Sequence, residues 1–333
     1  MNLLLVIHEY ANQHLILPAV LEEFKKIGNE KGWIYRARLV HDWKPNWKHK
    51  LWSLGQPTVV VSMEPILKFK PEWATIWTQV PCDKAWECEQ LERAGLPAPK
   101  WRAIQEGKTP DLSGFDDFVV TKPARSACGA LVGIMRRNRV RWRPSEISKF
   151  KWQSNVVLVQ EYIHTGPWPI SYRVGQIFGE PIYAWRCVAD RSRKSFDGTK
   201  RNSHFFAGRT IVSSGKGCTF DMKVPNDVFE LARLTHEAFP TVPILGVDII
   251  RDHDSGRLYV IEANSMGDTF HLTSDTGRKI SRESNFDWTA QFGGARAIAR
   301  GIYNRMREFE ACLNDESDRN VESDLKIEEA LVQ

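Results

Sequence analysis

Short hydrophobic runs separated by one amphipathic segment dominate the first 80 residues. Residues 3–7 and 58–63 are mostly apolar runs of strand length, a pattern typical of strands that are covered on both faces. Residues 33–40 predict a further strand, whereas residues 16–27, rich in Leu, Glu and Lys, predict a helix. The order strand, helix, strand, strand predicts a small open α/β domain that ends near residue 80.

The remaining sequence mixes many short strands with few helices. Residues 85–94 predict a helix that ends at Gly95, because the Leu-Pro-Ala-Pro sequence after it cannot continue a helix. A final helix is predicted over residues 294–309, and the acidic, polar residues 313–333 predict a loosely docked tail. Strands are predicted at residues 118–120, 131–135, 156–160, 172–178, 181–188, 244–250 and 257–261, the last two joined as a hairpin.

Composition narrows the class of protein. The 333 residues are enough for two or three subdomains, and the formal charge of +5 permits an anionic ligand without requiring nucleic acid. The first apolar run is only five residues long, and no run approaches the roughly 18 that a membrane span needs. The six Cys are scattered without the spacing of a zinc site. We therefore expect a cytoplasmic protein without a membrane partner, and with reduced thiols.

The hairpin near residue 250 carries the most specific chemistry. Glu262 and Asn264 are two residues apart, so in a strand their side chains share one face. Asp248, on the neighbouring strand, can point to the same face. Two carboxylates are costly to bury without a cation, and an oxygen-only ligand set suits Mg²⁺. The alternative is a pair of strands whose acids face solvent, which explains one acid more easily than this combination.

Basic residues stand inside or at the ends of other predicted strands. Lys122 ends a strand and precedes a loop of small residues that includes Gly129, which permits a close approach to phosphate. Arg173 and Arg186 lie within strand-like runs, where a permanently charged side chain needs a partner. That partner is either an anionic ligand or a structural carboxylate, and the residues alone favour neither.

Aromatic and basic residues alternate in segment 41–52, which contains Trp43, Trp47 and Trp52. Such a pattern can stack on nucleobases while binding phosphate. An amphipathic surface segment with its Trp side chains packed on the domain is the favoured interpretation, because one short patch is a weak indication of nucleic-acid binding.

The order and spacing of these blocks resemble the ATP-grasp superfamily, in particular its RimK-like carboxylate–amine ligases, over roughly residues 80–300. The resemblance implies an α/β (α+β) protein of the ATP-grasp fold, in which an amino-terminal open α/β domain precedes two α+β subdomains that grip ATP. The implied boundaries are 1–80 for the amino-terminal domain, 81–157 for the small grasp subdomain, 158–312 for the large one with the metal site, and 313–333 for the acidic tail. The fold often forms dimers, so the resemblance permits a homodimer but does not fix the oligomeric state.

The resemblance also assigns roles to the residues that match its motifs. The implied nucleotide contacts are the phosphate-binding Lys84 and Lys122, the adenine-seating segment Gln160, Glu161, Tyr162 and Ile163, and Asn202. The implied ligands of Mg²⁺ are Asp248, Glu262 and Asn264, with two ions expected and Mn²⁺ as an alternative metal. Arg186, supported by Arg173, would steady the acyl phosphate and the oxyanion.

The implied activity is that of an ATP-dependent ligase. It would transfer the γ-phosphoryl group of ATP to a carboxylate, and an amine would then attack the acyl phosphate to give an amide, ADP and phosphate. Two departures from the family pattern leave the substrates open. Ser171 stands where the family often has an acid before the Arg173 block, and residues 265–270 lack the usual small residue–Pro–Gly turn. Trp168 and Trp185, beside these blocks, are predicted to shape the substrate pocket.

Three alternatives compete with a ligase of small molecules. One is a kinase on the same fold, and another is a ligase that modifies a peptide or protein tail docked on segments 41–52 and 191–201. A non-catalytic nucleic-acid-binding protein is the third. A nucleic-acid-binding function does not explain why the predicted acids are buried, so nucleic acid is not the expected partner.

Overall fold

A computed structural model describes residues 1–8, 15–43, 47–69, 71–80, 83–108, 110–125, 132–141, 156–191, 218–265 and 270–332. The chain divides into two compact units: unit 1 comprises residues 1–79 together with 293–333, and unit 2 comprises residues 80–292. Among the described helices, none combines the length and the apolar composition that crossing a membrane requires.

Unit 1 contains a four-stranded parallel sheet, which confirms the predicted open α/β domain. The strands are β1 (Asn2–Ile7), β2 (Arg36–His41), β3 (Thr58–Val61) and β4 (Thr75–Trp77), in the order β2-β1-β3-β4. Strand β1 is central, and its four residues Leu3 to Val6 are at most 2% exposed. The helices of the unit are α1 (Leu17–Lys31), α2 (Trp47–Ser53) and α7 (Ala295–Val332).

A polar brace joins the carboxyl ends of the first three strands. The Nε2 atom of His8, just after β1, lies 2.7 Å from the Ser62 hydroxyl just after β3. Asp42, after β2, accepts hydrogen bonds from the backbone N–H groups of residues 67–69. Ser62 is fully buried and donates its hydroxyl to the Glu64 carbonyl. This Ser, His and Asp set is therefore a structural brace, because its serine is buried and donates its hydroxyl proton to the Glu64 carbonyl rather than to the imidazole.

The end of the chain differs from the prediction. Helix α7 continues to Val332, so the segment expected to be a loosely docked tail is helical, and residues 293–312 belong to unit 1 rather than to the second half of a grasp. The physical reason that residues 293–312 belong to unit 1 is the packing of the first part of α7 on α1. The Tyr303 ring meets that of Phe24 edge to face at 5.7 Å, and Arg296 forms ion pairs with Glu23 and Glu30.

Unit 2 contains two antiparallel sheets and has α+β character. The four-stranded sheet has the order β5-β8-β6-β7 and comprises β5 (Trp101–Ile104), β6 (Phe118–Pro123), β7 (Gly133–Arg136) and β8 (Val157–Glu161). The five-stranded sheet has the order β11-β10-β9-β12-β13 and comprises β9 (Ile170–Ile177), β10 (Glu180–Ala189), β11 (Cys218–Asp221), β12 (Ile244–Arg251) and β13 (Leu258–Asn264). The helices are α3 (Lys84–Arg93), α4 (Asn226–Glu237), α5 (Asp275–Ser284) and α6 (Trp288–Phe292).

A side-chain cap at its start and a glycine at its end fix the limits of helix α3. The Asp83 carboxylate accepts hydrogen bonds from the N–H groups of Ala85 and Trp86 at 3.1 and 3.0 Å, which satisfies donors of the first turn. Gly95 has φ +66°, a left-handed conformation that glycine adopts without a steric cost and that ends the helix. The predicted helix over 85–94 is therefore confirmed, and its amino end places Lys84 in the first turn.

Candidate functional site

Strand register brings a row of side chains onto one face of the five-stranded sheet. In the antiparallel ladders, Trp185 lies opposite Arg173, Arg173 opposite Asp248, and Asp248 opposite Glu262. Directly opposed residues share a face, so these four side chains form a continuous row across four strands. The predicted hairpin and the shared face of its two acids are confirmed. Asn264 follows Glu262 by two residues, and its Nδ2 donates to Asp248 Oδ2 at 3.2 Å.

Arg186 lies on the opposite face of the same sheet. It is opposed to Tyr172, one position away from the row that contains Arg173. Its guanidinium binds the Asp221 carboxylate, with Nε 3.1 Å from both carboxylate oxygens and one terminal nitrogen 2.5 Å from Oδ2. The structure therefore brings Arg173 to the two acids, with its Nε 3.4 Å from Asp248 Oδ1, and does not bring Arg186 there.

Two lysines reach the edge of this row from other elements. Lys84 of α3 places its Nζ 2.5 Å from Glu262 Oε1, and Lys122 of β6 donates to the Ile261 carbonyl at 3.0 Å. Both lysines are buried, with exposed fractions of 7% and 6%. Glu87, one helical turn after Lys84, is buried as well and accepts a hydrogen bond from the Ala263 N–H at 3.3 Å. The site thus combines three carboxylates with three cations.

Burial dominates the electrostatics of the carboxylates. It raises the pKa of Asp248 to about 6, against the opposing effect of Arg173. Burial, and then the charge of Glu262, raise the pKa of Glu87 to about 7. Burial also acts to raise the pKa of Glu262, but Lys84 and Lys122 outweigh it and hold that pKa below its usual range. Glu262 is therefore the acid whose charge the surrounding cations stabilise most.

The contribution of Asp248 and Glu87 to folding stability should fall as the pH rises through the range in which they titrate. Their folded-state pKa values of about 6 and about 7 exceed the usual carboxyl range near 4. Between about pH 4 and pH 7 the folded protein holds protons that the unfolded chain has released, so the free energy of unfolding decreases with rising pH. We expect the Asp248→Asn/Glu87→Gln variant to show a shallower decrease than wild type in urea unfolding.

This pH test compares two slopes, so that titrating groups distant from Asp248 and Glu87 cancel. His8, whose pKa is lowered by burial, contributes in the opposite direction but equally in both proteins. An identical pH dependence of the unfolding free energy in the two proteins would contradict the raised pKa values.

The carboxylates of Asp248 and Glu262 are chemically suited to bind a divalent cation, although they provide few ligands. Asp248 and Glu262 are like charges on directly opposed positions, and a cation between carboxylates relieves both repulsion and burial. Asn264 donates through its amide nitrogen to Asp248 and to the Gly246 carbonyl, which leaves its side-chain oxygen as a further ligand. Within the described ranges, no group of three or more His, Cys, Asp or Glu side chains is arranged to hold a metal. A metal here would therefore need oxygens from a substrate or water.

The predicted adenine segment lies at and beyond the end of β8. Gln160 is buried, and its Nε2 lies 3.5 Å from the Cys88 sulfur of α3. Glu161 is the last strand residue, and its N–H donates to the Lys100 carbonyl at 2.8 Å. Tyr162 and Ile163 follow the strand, and Ile163 is buried. Because Gln160 packs on α3, the segment belongs to the same neighbourhood as Lys84.

Other candidate residues are placed less centrally. Asn202 and most of the basic loop 191–201 lie outside the described residues. Trp185 is only 6% exposed and stacks on Tyr183 at 5.3 Å, within a buried aromatic cluster on the face of Asp248. Trp168 is half-buried beneath the Arg191 guanidinium. In unit 1, the guanidinium groups of Arg36 and Arg38 lie 4.6 and 4.0 Å from the ring of Trp52, which supports the surface-segment interpretation over base stacking.

Sequence reasoning missed Glu87 as a member of the site. A spacing signal was present, since Lys84, Glu87 and Leu91 recur at helical intervals and all three are buried. Glu89 and Glu92 on the same helix are exposed. Because of them, the whole acidic stretch looks in the sequence like the solvent-exposed side of a helix, and the spacing of the buried residues is easily overlooked.

Neither a protein-family model nor a curated protein sequence matches the chain. Similar solved structures include the D-alanine–D-alanine ligase from Bacillus anthracis, at 12% identity and TM-score 0.45, covering 93% of this chain and 99% of that one. The D-cycloserine synthetase DcsG is similar at 14% identity and TM-score 0.48, covering 92% and 99%. The RimK domain ATP-grasp protein from Sphaerobacter thermophilus is similar at 15% identity and TM-score 0.45, covering 90% and 99%. At these values the likenesses carry no functional argument, and the function has to be argued from the side chains.

Proposed function

We propose that this chain is an ATP-grasp ligase that uses ATP and Mg²⁺ to join a carboxylate to an amine through an acyl phosphate. The observation that carries the proposal is the direct opposition of Asp248 and Glu262 on buried strands, surrounded by cations from three other elements. Such a cluster is costly for folding alone, because each buried charge has to be neutralised by a partner. It is suited to a highly charged substrate whose phosphates and metal replace these internal partners.

Each side chain of the cluster has a role in this proposal. Glu262, Asp248 and the side-chain oxygen of Asn264 hold Mg²⁺, which supplies charge neutralisation for the phosphates when it is bound. Lys84 and Lys122 bind the phosphates, and residues 160–163 seat the adenine. The protein contributes positioning and electrostatic stabilisation, and the reaction requires no covalent nucleophile from the chain.

The lysines have to exchange partners when the nucleotide binds. Lys84 is paired with Glu262 and Lys122 with the Ile261 carbonyl. Because both lysines are satisfied inside the protein, phosphate binding would release Glu262 and the carbonyl. The proposal therefore predicts that nucleotide and Mg²⁺ bind cooperatively, since a Glu262 carboxylate released by Lys84 would be free to hold the metal.

The decisive experiment is a screen for ADP release across pairs of carboxylates and amines, including amino acids, short peptides and peptide tails. A ligase releases ADP and inorganic phosphate in equal amounts only when both substrates are present. Release of ADP with a phosphorylated product and no free phosphate would indicate a kinase. Failure of wild-type protein to bind ATP or ADP in the presence of Mg²⁺, measured by calorimetry, would reject the nucleotide site itself.

Arg173 is proposed to contact the reacting phosphoryl group, because it shares the face of Asp248 whereas Arg186 is bound to Asp221 on the other face. We expect Arg173→Lys to lower kcat by at least about tenfold, because Lys cannot reproduce a bidentate guanidinium contact. Arg186→Lys should change kcat by less than about threefold and act on the unfolding midpoint instead. A larger loss of kcat in the Arg186 variant would return the catalytic role to Arg186. Kinetics with any substrate pair found in the screen provide the measurement.

A further inference from the structure

The outer edge of β13 has no neighbouring strand among those described. β13 pairs with β12 on one side and is the last strand in the order of its sheet. Backbone N–H and C=O groups along such an edge need other partners when they are buried. These groups belong to the segment that carries Glu262 and Asn264, so their partners fix the spacing of those two side chains.

A β-bulge makes this segment depend on its outer partners. Asp248 opposes Glu262, but the next residue of β12, Ile249, opposes Val260. Ile261 is therefore an extra residue in β13, and a bulge of this kind interrupts the ladder and bends the strand. The ladder with β12 is regular after Glu262, at Ala263 and Asn264, and is interrupted before it, at Ile261.

Three groups from outside the sheet bind the outer edge of β13. The Val260 N–H donates to the Pro97 carbonyl at 2.8 Å. Lys122 Nζ donates to the Ile261 carbonyl at 3.0 Å, and the Ala263 N–H donates to Glu87 Oε2 at 3.3 Å. The two charged side chains thus bind the backbone immediately before and immediately after Glu262.

Helix α3 contacts this part of the strand at two points. Lys84 binds the Glu262 side chain, and Glu87, one turn later, binds the backbone of the following residue. Glu87 is only 7% exposed. A carboxylate at such a position costs desolvation free energy, which a hydrogen bond from Ala263 and the two nearby lysines offset in part. If Glu87 only filled space in the core, an apolar side chain would serve at this position.

We propose that Glu87 is a positioning residue that, together with Lys122, takes the place of a neighbouring strand along β13 and fixes the backbone between Glu262 and Asn264. The use of that backbone to hold Mg²⁺ rests on the proposed function. The hydrogen bond that fixes it does not, so the two ideas can fail separately.

Two substitutions of nearly equal shape test this role. Glu87→Gln keeps a side-chain oxygen that can accept the hydrogen bond from Ala263, whereas Glu87→Met fills the same space without one. Hydrogen exchange of the Ala263 amide, read by mass spectrometry, should be about tenfold faster in the Met variant and within about twofold of wild type in the Gln variant. Glu92→Met, on the exposed side of the same helix, is the matched control and should leave the exchange unchanged.

A binding measurement links the hydrogen bond to the site. The Kd of ADP at saturating Mg²⁺, measured by calorimetry, should rise at least about fivefold in the Met variant and recover in the Gln variant. Urea unfolding midpoints of the two variants show whether general destabilisation explains the difference. Faster exchange in the Met variant, with no binding of ADP and Mg²⁺ by wild type, would support the positioning role and reject the proposed function.

Three results would overturn the proposal. Wild-type exchange at Ala263 as fast as in an unstructured peptide would show that the hydrogen bond does not form, whether or not any variant folds. Unchanged exchange in the Met variant would show that Glu87 does not hold the strand. Equal acceleration in the Gln and Met variants would assign the effect to charge rather than to the accepting oxygen.

Discussion

Glu262→Gln is expected to reduce ATP turnover at least about a hundredfold while the protein remains folded. Loss of one electrostatic contact to a developing charge typically costs about 10²- to 10³-fold in kcat. The substitution also removes the like-charge opposition between Asp248 and Glu262, and Glu87 remains as a counter-charge for Lys84. The fold should therefore survive. Asp248→Asn should have a loss of similar size, because both acids are assigned to one metal.

The control for these variants lies in the same hairpin. Asp254→Asn changes an exposed acid in the turn between β12 and β13 and should retain wild-type turnover. ADP release and the Mg²⁺ dependence of ATP binding are the measurements. Normal turnover in Glu262→Gln with any substrate pair would disprove the metal assignment.

Gly175→Ala is expected to destabilise unit 2 by more than about 3 kcal/mol. Gly175 lies opposite Tyr183 across β9 and β10, and an added Cβ would overlap the Tyr183 ring. That ring is fully buried between Trp185 and His271, with centroid distances of 5.3 and 5.0 Å, so it cannot move aside. Overpacking of a core that can adjust costs about 1–3 kcal/mol, and this position lacks that freedom.

A second strand glycine provides the comparison. Among the residues that the structure describes, an added Cβ at Gly133 in β7 would meet only the Thr121 hydroxyl, at 3.9 Å. Gly133→Ala should therefore change the unfolding free energy by less than about 1 kcal/mol, and the change can be stabilising because alanine restricts the unfolded chain. Urea unfolding measures both variants. Equal effects at the two positions would mean that Tyr183 does not cover Gly175 as the structure shows.

The hairpin of Asp248 and Glu262 was predictable because its information is local. Two apolar strands joined by a short polar turn can pair in few ways, and the period of two residues fixes which side chains share a face. Arg173 and Arg186 show the limit of this reasoning. Both stand in strand-like runs, but which of them faces the acids depends on the register between β9, β10 and β12. A shift of that register by one residue would exchange the faces on which the two side chains lie.

The packing of helix α7 on α1 and the place of Glu87 in the site were not predictable for another reason. Residues 293–312 follow the second unit in sequence, but they pack on the apolar side of α1, which is far away in the chain. Sequence proximity gave no indication of this contact. Glu87 differs from its exposed neighbours Glu89 and Glu92 only in the direction it points from the helix, which becomes informative once the buried side of α3 is known.

The return of α7 to α1 has a consequence for biosynthesis. Unit 2 is inserted between the two segments of unit 1, so its sequence emerges complete while unit 1 still lacks α7. At a synthesis rate of about 5–20 residues per second, roughly 13–53 s separate the end of α1 from the start of its partner helix. During that interval the nascent chain lacks Tyr303, so the side of Phe24 that Tyr303 later covers stays exposed.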